Sequence, residues 1–501
     1  EYVRAVMCRG TTSLFIDPHE IANVLGLAGV RLMHDEAAAM PINVFVQMPS
    51  CVPSAPGLET PGAVLGPEEV AEAMRWPQII GLGEMMNFPG VANGDDKMHA
   101  ELATAMRAGK TIGGHYASPD LGLGFHAYLA GGPGDDHEGT CLEDAVARVR
   151  RGMRAMLRYG SGWRDVAAQV KAITELGLDS RNFILCTDDC HAATLIEEGH
   201  MDRVLRHAVS QGLEPITAIQ MATLNTAQLF GLERDIGSIS PGRYADIVIS
   251  GDLSTLPIDI VVAGGNEVVR GGRLSIEIPP YNYPDEARNT VNLKQPVEPK
   301  DFRVVAPEET TTATVRVIGV VQHQAPTRAM TFTVPVREGQ VSADTDQDLC
   351  QVALVERHHG SGRIAHGFVH GFGFNRACAV ASTVAHDSHQ LIVVGSDRDD
   401  MALAANRLSA VGGGVAVFAD RKELALVPLP IAGLMSNESA SAVAQQNAQL
   451  DRALKACGCG IADAFMQLSL LALVVIPELR ISDLGLVDVN RFEVVSLFYP
   501  V

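Results

Sequence analysis

The sequence predicts an α/β fold: a (β/α)8 barrel whose first strand is missing, followed by a small appended β unit and a C-terminal α+β domain. Three observations carry this. From residue 11 to about 190, short β-rich runs alternate with helical patterns, as repeated βα units around a parallel sheet do. Side chains able to do chemistry stand at the C-terminal ends of most of those runs (Asp17, His19, Glu84, His115, His137, Asp188), where a barrel keeps its active site. A doubly wound sheet also places ligands at strand ends but rarely recruits groups from so many strands. The length of 501 residues exceeds what one core organises, so about three domains are expected.

The predicted strands are "TTSLFID" (11–17), "INVFVQM" (42–48), "IIGLGEM" (79–85), "TIGGHY" (111–116), a short one before "DDHE" (135–138), "MRAMLRYG" (153–160) and "NFILCTDD" (182–189). "EYVRAVMCRGTT" reads as a helix already under way at residue 1, and "EPITAIQMATLNTAQLFGL" (214–232) as an amphipathic helix closing the barrel portion, 1–236. "GSISPGRYADIVISGD" opens a small β-sandwich portion over 237–280, with Pro241-Gly242 as a turn. Residues 281–302, rich in Pro, Asn and charge, read as a connector, and 303–501 as the α+β domain.

Composition narrows the function. A formal charge of −20 repels phosphate backbones and anionic membrane surfaces, so neither nucleic acid nor membrane is expected as a partner. Nine cysteines scattered over such a length form no disulfide framework and suit a reducing cytoplasm. The longest apolar run, "LSLLALVVIP" (468–477), is too short to cross a bilayer and reads as a buried segment. "CGCG" (457–460) lacks the spacing of a zinc site, and the His-x-Glu…Pro-Cys-x-x-Cys signature of deaminases that edit nucleic acid is absent.

Imidazoles and carboxylates gathered from separate strands form the first shell of hydrolytic Zn, Mn or Fe sites, and Glu84, His115, His137 and Asp188 have the right identities. The longer motifs around them, "DPHEIANVLG" (17–26), "GLGEMMN" (81–87), "DDHE" (135–138), "CTDDCH" (186–191), "MATLNTAQLFGL" (221–232) and "GSISPGRYADIV" (237–248), resemble the bacterial adenine deaminases of the amidohydrolase superfamily. "VERHHGSGRIAHGFVHGFGF" (355–374), "VAHDSHQLIVVG" (384–395) and "VIPELRISDLGLVD" (475–488) resemble that family's C-terminal domain, so the likeness covers nearly the whole chain. The resemblance implies hydrolytic deamination of adenine to hypoxanthine and ammonia in purine salvage or adenine catabolism, by a metal-bound hydroxide attacking C6. It implies a divalent transition metal, binuclear, Mn or Fe with Zn as a further option, and a homo-oligomer.

Carried over residue by residue, Glu84 would bridge two ions from the fourth barrel strand, His115 and His137 hold the second ion, and Asp188 close the site and relay a proton. Glu138 is a second proton carrier or a clamp on an imidazole. Asp189 either hydrogen-bonds the purine or caps the next helix. His19 and Glu20 are substrate contacts or local caps. "VAHDSH" presents His386, Asp387 and His389 at a spacing compatible with a metal, a substrate lid or a structural role. The chain departs from the superfamily in one respect: no His-x-His pair stands at a first strand, since residue 1 falls inside the first barrel helix. Weak metal binding follows from that departure. The alternative functions are a truncated, non-catalytic purine-binding fragment or pseudoenzyme, and a cyclic amide hydrolase, although the latter usually carries a modified lysine where Glu84 stands.

Overall fold

The computed structural model describes residues 1–307, 310–322 and 324–499. They form two compact units, the first made of Glu1–His19, Val30–Cys51 and Leu65–Asn282, the second of Glu20–Gly29, Val52–Val64 and Tyr283–Val501.

In the first unit six predicted runs contain a strand, and the short one expected before "DDHE" falls instead on its first two residues: β1 (Ser13–Ile16), β2 (Asn43–Met48), β3 (Ile79–Met85), β4 (Thr111–Gly114), β5 (Asp135–Asp136), β6 (Arg154–Arg158) and β7 (Phe183–Cys186). Neighbours pair in parallel and in chain order, β1 to β4 in one run and β5 to β7 in another. The Gly134 N–H donates to Ile112 O at 2.9 Å, carrying the ladder from β4 toward β5. Strands buried on both faces need no alternation, and β7 is apolar for that reason: Phe183, Ile184 and Leu185 are all buried. Helical residues Ala145, Val166, Val204, Ala208, Ala218 and Met221 close over Ala155, Leu157, Phe183 and Leu185. Each such Leu or Phe contributes roughly 1.5–3 kcal/mol by leaving water.

The opening stretch is helical, over Tyr2–Met7. The helix expected over 214–232 is instead two, Pro215–Ala222 and Leu224–Leu229. Thr223 breaks it with φ −131° and ψ −85°, and its hydroxyl donates to Ile219 O at 2.6 Å. A β-branched residue that bonds back one turn weakens a helix at that point. The small β unit is an antiparallel sheet of β8 (Ile247–Ile249), β9 (Ile260–Ala263), β10 (Asn266–Arg270) and β11 (Arg273–Leu274). Asn43 on β2 ties to it by donating to Asp246 Oδ2 at 2.7 Å.

The second unit is built on an eight-stranded mixed sheet. Its spatial order is Arg328–Pro335, Thr312–Gly319, Ile364–His370, Leu349–Val355, Leu391–Gly395, Cys378–Ser382, Gly414–Ala419 and Lys422–Pro428. Alternation along Leu349–Val355 serves two cores. Ala353 and Val355 pack with Met401, Ala405 and Leu408 of helix Arg398–Val411, while Val352 and Leu354 share a cluster with Leu450, Leu454 and Leu468. "LSLLALVVIP" ends the helix Ala464–Leu470 and is buried, as its composition requires. Among the described residues no helix is long and apolar enough to cross a membrane.

Candidate metal-dependent active site

The strand ends of the first unit converge. Glu84, at the end of β3, sets Oε2 at 2.6 Å from His115 Nδ1 and 3.0 Å from His137 Nε2, and Oε1 at 3.3 Å from His19 Nδ1. Three groups of donors result, Glu84–His115–His137, Asp17–His19–Glu84 and His137–Glu138–Asp188, the atoms of each lying within 4.8 Å of one another.

Local structure explains why these side chains meet. Asp17, just past β1, accepts the Glu84 N–H on Oδ2 at 2.8 Å, and it can come that close only because residue 83 is glycine: a β-carbon there would lie 2.1 Å from the same oxygen. His115 is set by its own N–H, which donates to the buried Tyr128 hydroxyl at 2.8 Å, while that hydroxyl donates to Met85 O at 3.0 Å. After β5, Asp136 accepts from the Glu138 N–H at 2.8 Å and from Arg148 Nε at 2.8 Å, so a buried ion pair fixes the turn that carries His137 and Glu138.

Arg158, at the end of β6, is the hub of the opposite wall. It is buried and donates to Glu138 Oε1 at 2.5 Å, Asp188 Oδ2 at 2.9 Å and Asp165 Oδ2 at 2.8 Å. Arg158 and Asp165 were not foreseen as site residues. Arg158 does stand at a strand's C-terminal end, which is the signal that singled out its neighbours. Asp17 was visible at its strand end but not foreseen in the donor set.

Charge follows geometry. Burial alone would raise the Glu84 carboxyl, yet the imidazoles of His137, His115 and His19 hold it well below the usual range. Burial likewise opposes ionisation of Glu138, and Arg158 with His115 and His137 brings it down to about 2. Against its own burial, which lowers it, His137 is pushed up to about 10 by Glu84, Asp188 and Glu138.

The sequence-predicted residues divide accordingly. Glu84, His115, His137, Glu138 and Asp188 come together, and His19 joins them beside Asp17 and Glu84. Asp189 is exposed at the rim; the following helix, Ala192–Glu197, takes His191 as its N-cap, so Asp189 is not that cap. Glu20 belongs to the second unit, where its carboxylate meets His386 and His389.

Residues 1–268 match the amidohydrolase family and residues 324–493 the adenine deaminase C-terminal domain. The chain is 63% identical over 498 residues to an adenine deaminase of Mesorhizobium japonicum, with 99% of this chain and 82% of that one covered. It is 62% identical over 493 residues to adenine deaminase 3 of Rhizobium meliloti, covering 98% and 83%. An adenine deaminase of Moorella thermoacetica is 51% identical over 497 residues, covering 99% and 83%.

The chain belongs to the adenine deaminase family. The expected resemblance is borne out, and with it the metal-dependent hydrolase fold. Membership in the amidohydrolases implies a divalent metal, and the donors fit one. With the imidazoles neutral, as ligands must be, the carboxylates of Glu138, Asp165 and Asp188 share the guanidinium of Arg158, while Glu84 has imidazoles beside it. Partly buried anions in that excess need cations to offset them. His115 Nε2 is also buried with no hydrogen-bond partner among the described residues.

Proposed function

We propose that this chain catalyses the hydrolytic deamination of adenine, adding water at C6 and releasing ammonia to leave hypoxanthine. The observation that carries the reading is the cluster Glu84–His115–His137 meeting His137–Glu138–Asp188, in a chain of the adenine deaminase family.

Glu84, His115, His137 and Asp188 would hold a binuclear centre of Mn or Fe, with Zn as a further option, since imidazole and carboxylate sets accept all three. Bound divalent cations supply Lewis acidity that makes water nucleophilic near neutral pH. Glu84 has both oxygens committed to imidazoles and suits a bridging position. Asp188 is the proton carrier: it takes a proton as water adds to C6 and returns it to the departing amine. Arg158 holds Asp188 and Glu138 in place, and its charge favours the anionic form of Glu138. Glu138 is the second acid–base group, beside His137. Asp189 and His19 stand as purine contacts, where polar groups at fixed distance select the ring edge. Glu20 lies against the imidazoles of His386 and His389. Nine free cysteines fit a reducing cytoplasm, and a homo-oligomer completes the reading.

The test is ammonia release from adenine by protein loaded with Mn2+, Fe2+ or Zn2+, run beside ring opening of hydantoins. Deamination of adenine with no hydantoinase activity is expected. Ring opening without ammonia release from adenine would replace this reading with a cyclic amide hydrolase.

A further inference from the structure

A second cluster of imidazoles and carboxylates lies wholly within the second unit. Glu20, His386 and His389 present donor atoms within 4.8 Å of one another, and Glu20 and Asp387 do the same. His386 Nδ1 is 2.8 Å from Glu20 Oε1 and 3.6 Å from Asp387 Oδ1, while His389 Nε2 contacts Glu20 Oε2. Asp387 is only 2% exposed, and its Oδ2 is buried with no hydrogen-bond partner among the described residues. A buried carboxylate oxygen without a donor is costly and points to a ligand.

The frame around these groups is already built. Arg357 Nε donates to His389 O at 2.5 Å, the His386 N–H donates to Ser469 O at 3.1 Å, and Gln390 Oε1 accepts the Arg357 N–H at 2.8 Å. The Ala385 N–H donates to His389 Nδ1 at 3.1 Å. That bond leaves the ring proton on Nε2, so His389 donates to Glu20 instead of ligating, in the way a ligand carboxylate is oriented from behind.

We propose that Glu20, His386 and Asp387 form a divalent-cation site in the second unit, with His389 clamping the Glu20 carboxylate. Two carboxylates balance the charge of a divalent ion, and the mixed nitrogen and oxygen donors suit Zn2+ or Mn2+. Binding displaces the proton from His386 Nδ1, since a ligating imidazole is neutral with a free lone pair.

The test is zinc content and zinc titration of the full chain after chelation. In an E84Q/H115N/H137N background about one equivalent is expected to remain, and adding D387N or H386N removes it. H389Q keeps the stoichiometry and raises the zinc Kd by about 10- to 100-fold. The proposal is overturned if the first-unit variant, with native circular dichroism, holds no zinc. It is equally overturned if D387N in the otherwise unaltered chain leaves the zinc count unchanged, a comparison that stands even where the triple variant fails to fold. Loss of zinc in H389Q with retention in H386N would overturn the ligand assignment.

Discussion

At the scale of single residues the first unit's site is governed by one guanidinium. Arg158 joins Glu138, Asp165 and Asp188, and without it three acidic groups would stand together with only imidazoles to offset them. Asp188 is therefore held in place by Arg158 before substrate arrives, as a proton carrier must be. Replacing it with asparagine keeps the shape and one hydrogen-bond acceptor but removes the basic oxygen. Asp188→Asn is expected to lower kcat for ammonia release by at least about 10²-fold. A similar fall in R158M, with metal content retained, would show that the guanidinium acts through Asp188 and Glu138. Unchanged kcat in D188N would remove Asp188 from the proton path. Asp188 was legible because it follows a strand as apolar as "NFILC". Arg158 was not singled out, since an arginine after a strand is usually a solvated side chain.

At the scale of elements, the strands were easier to read than their ends. β5 has only two residues, Asp135 and Asp136, yet its place was legible from the chemistry that follows it rather than from any apolar run. What sequence periodicity could not convey is what anchors so short a strand. Asp136 and Arg148 are each 1% exposed and pair at 2.8 Å, joining β5 to helix Leu142–Arg150. Arg148 also donates to Tyr116 O at 3.2 Å, next to His115. Removing one partner of a buried pair leaves the other uncompensated, at a cost of about 3–5 kcal/mol. Arg148→Met should lower stability in urea unfolding by about that amount and should speed hydrogen exchange in the backbone around His137. If exchange there is unchanged while stability falls, the pair supports the fold without holding the site.

At the scale of the whole molecule, the alternation of β-rich and helical runs set the fold class of the chain, but not which body each segment packs with. Glu20–Gly29 and Val52–Val64 follow barrel strands in sequence and yet belong to the second unit, and local pattern carries no sign of this. Long-range contacts of this kind also decide how stability responds to pH. His200 is 3% exposed, with Nδ1 at 2.8 Å from Thr11 Oγ1 and Nε2 at 3.0 Å from Tyr2 Oη, so it fastens the N-terminal helix to the helix Met201–Ser210. Burial lowers its pKa to about 4 from an ordinary 6.5, with Asp202 opposing only in part. A depressed histidine is neutral in the fold while the unfolded chain takes up the proton from about pH 6.5 downward. Unfolding is thereby favoured as pH falls through that window, at about 1.4 kcal/mol per pH unit, and the loss is complete near pH 4. His200→Gln removes the titration but retains polarity. Its stability deficit against the unaltered chain, measured by urea unfolding, should therefore shrink by roughly 2–3 kcal/mol between about pH 7 and about pH 4.5. A deficit that stays constant across that range would mean that His200 takes up its proton at the same pH in the folded and the unfolded chain, so that burial does not hold the imidazole neutral.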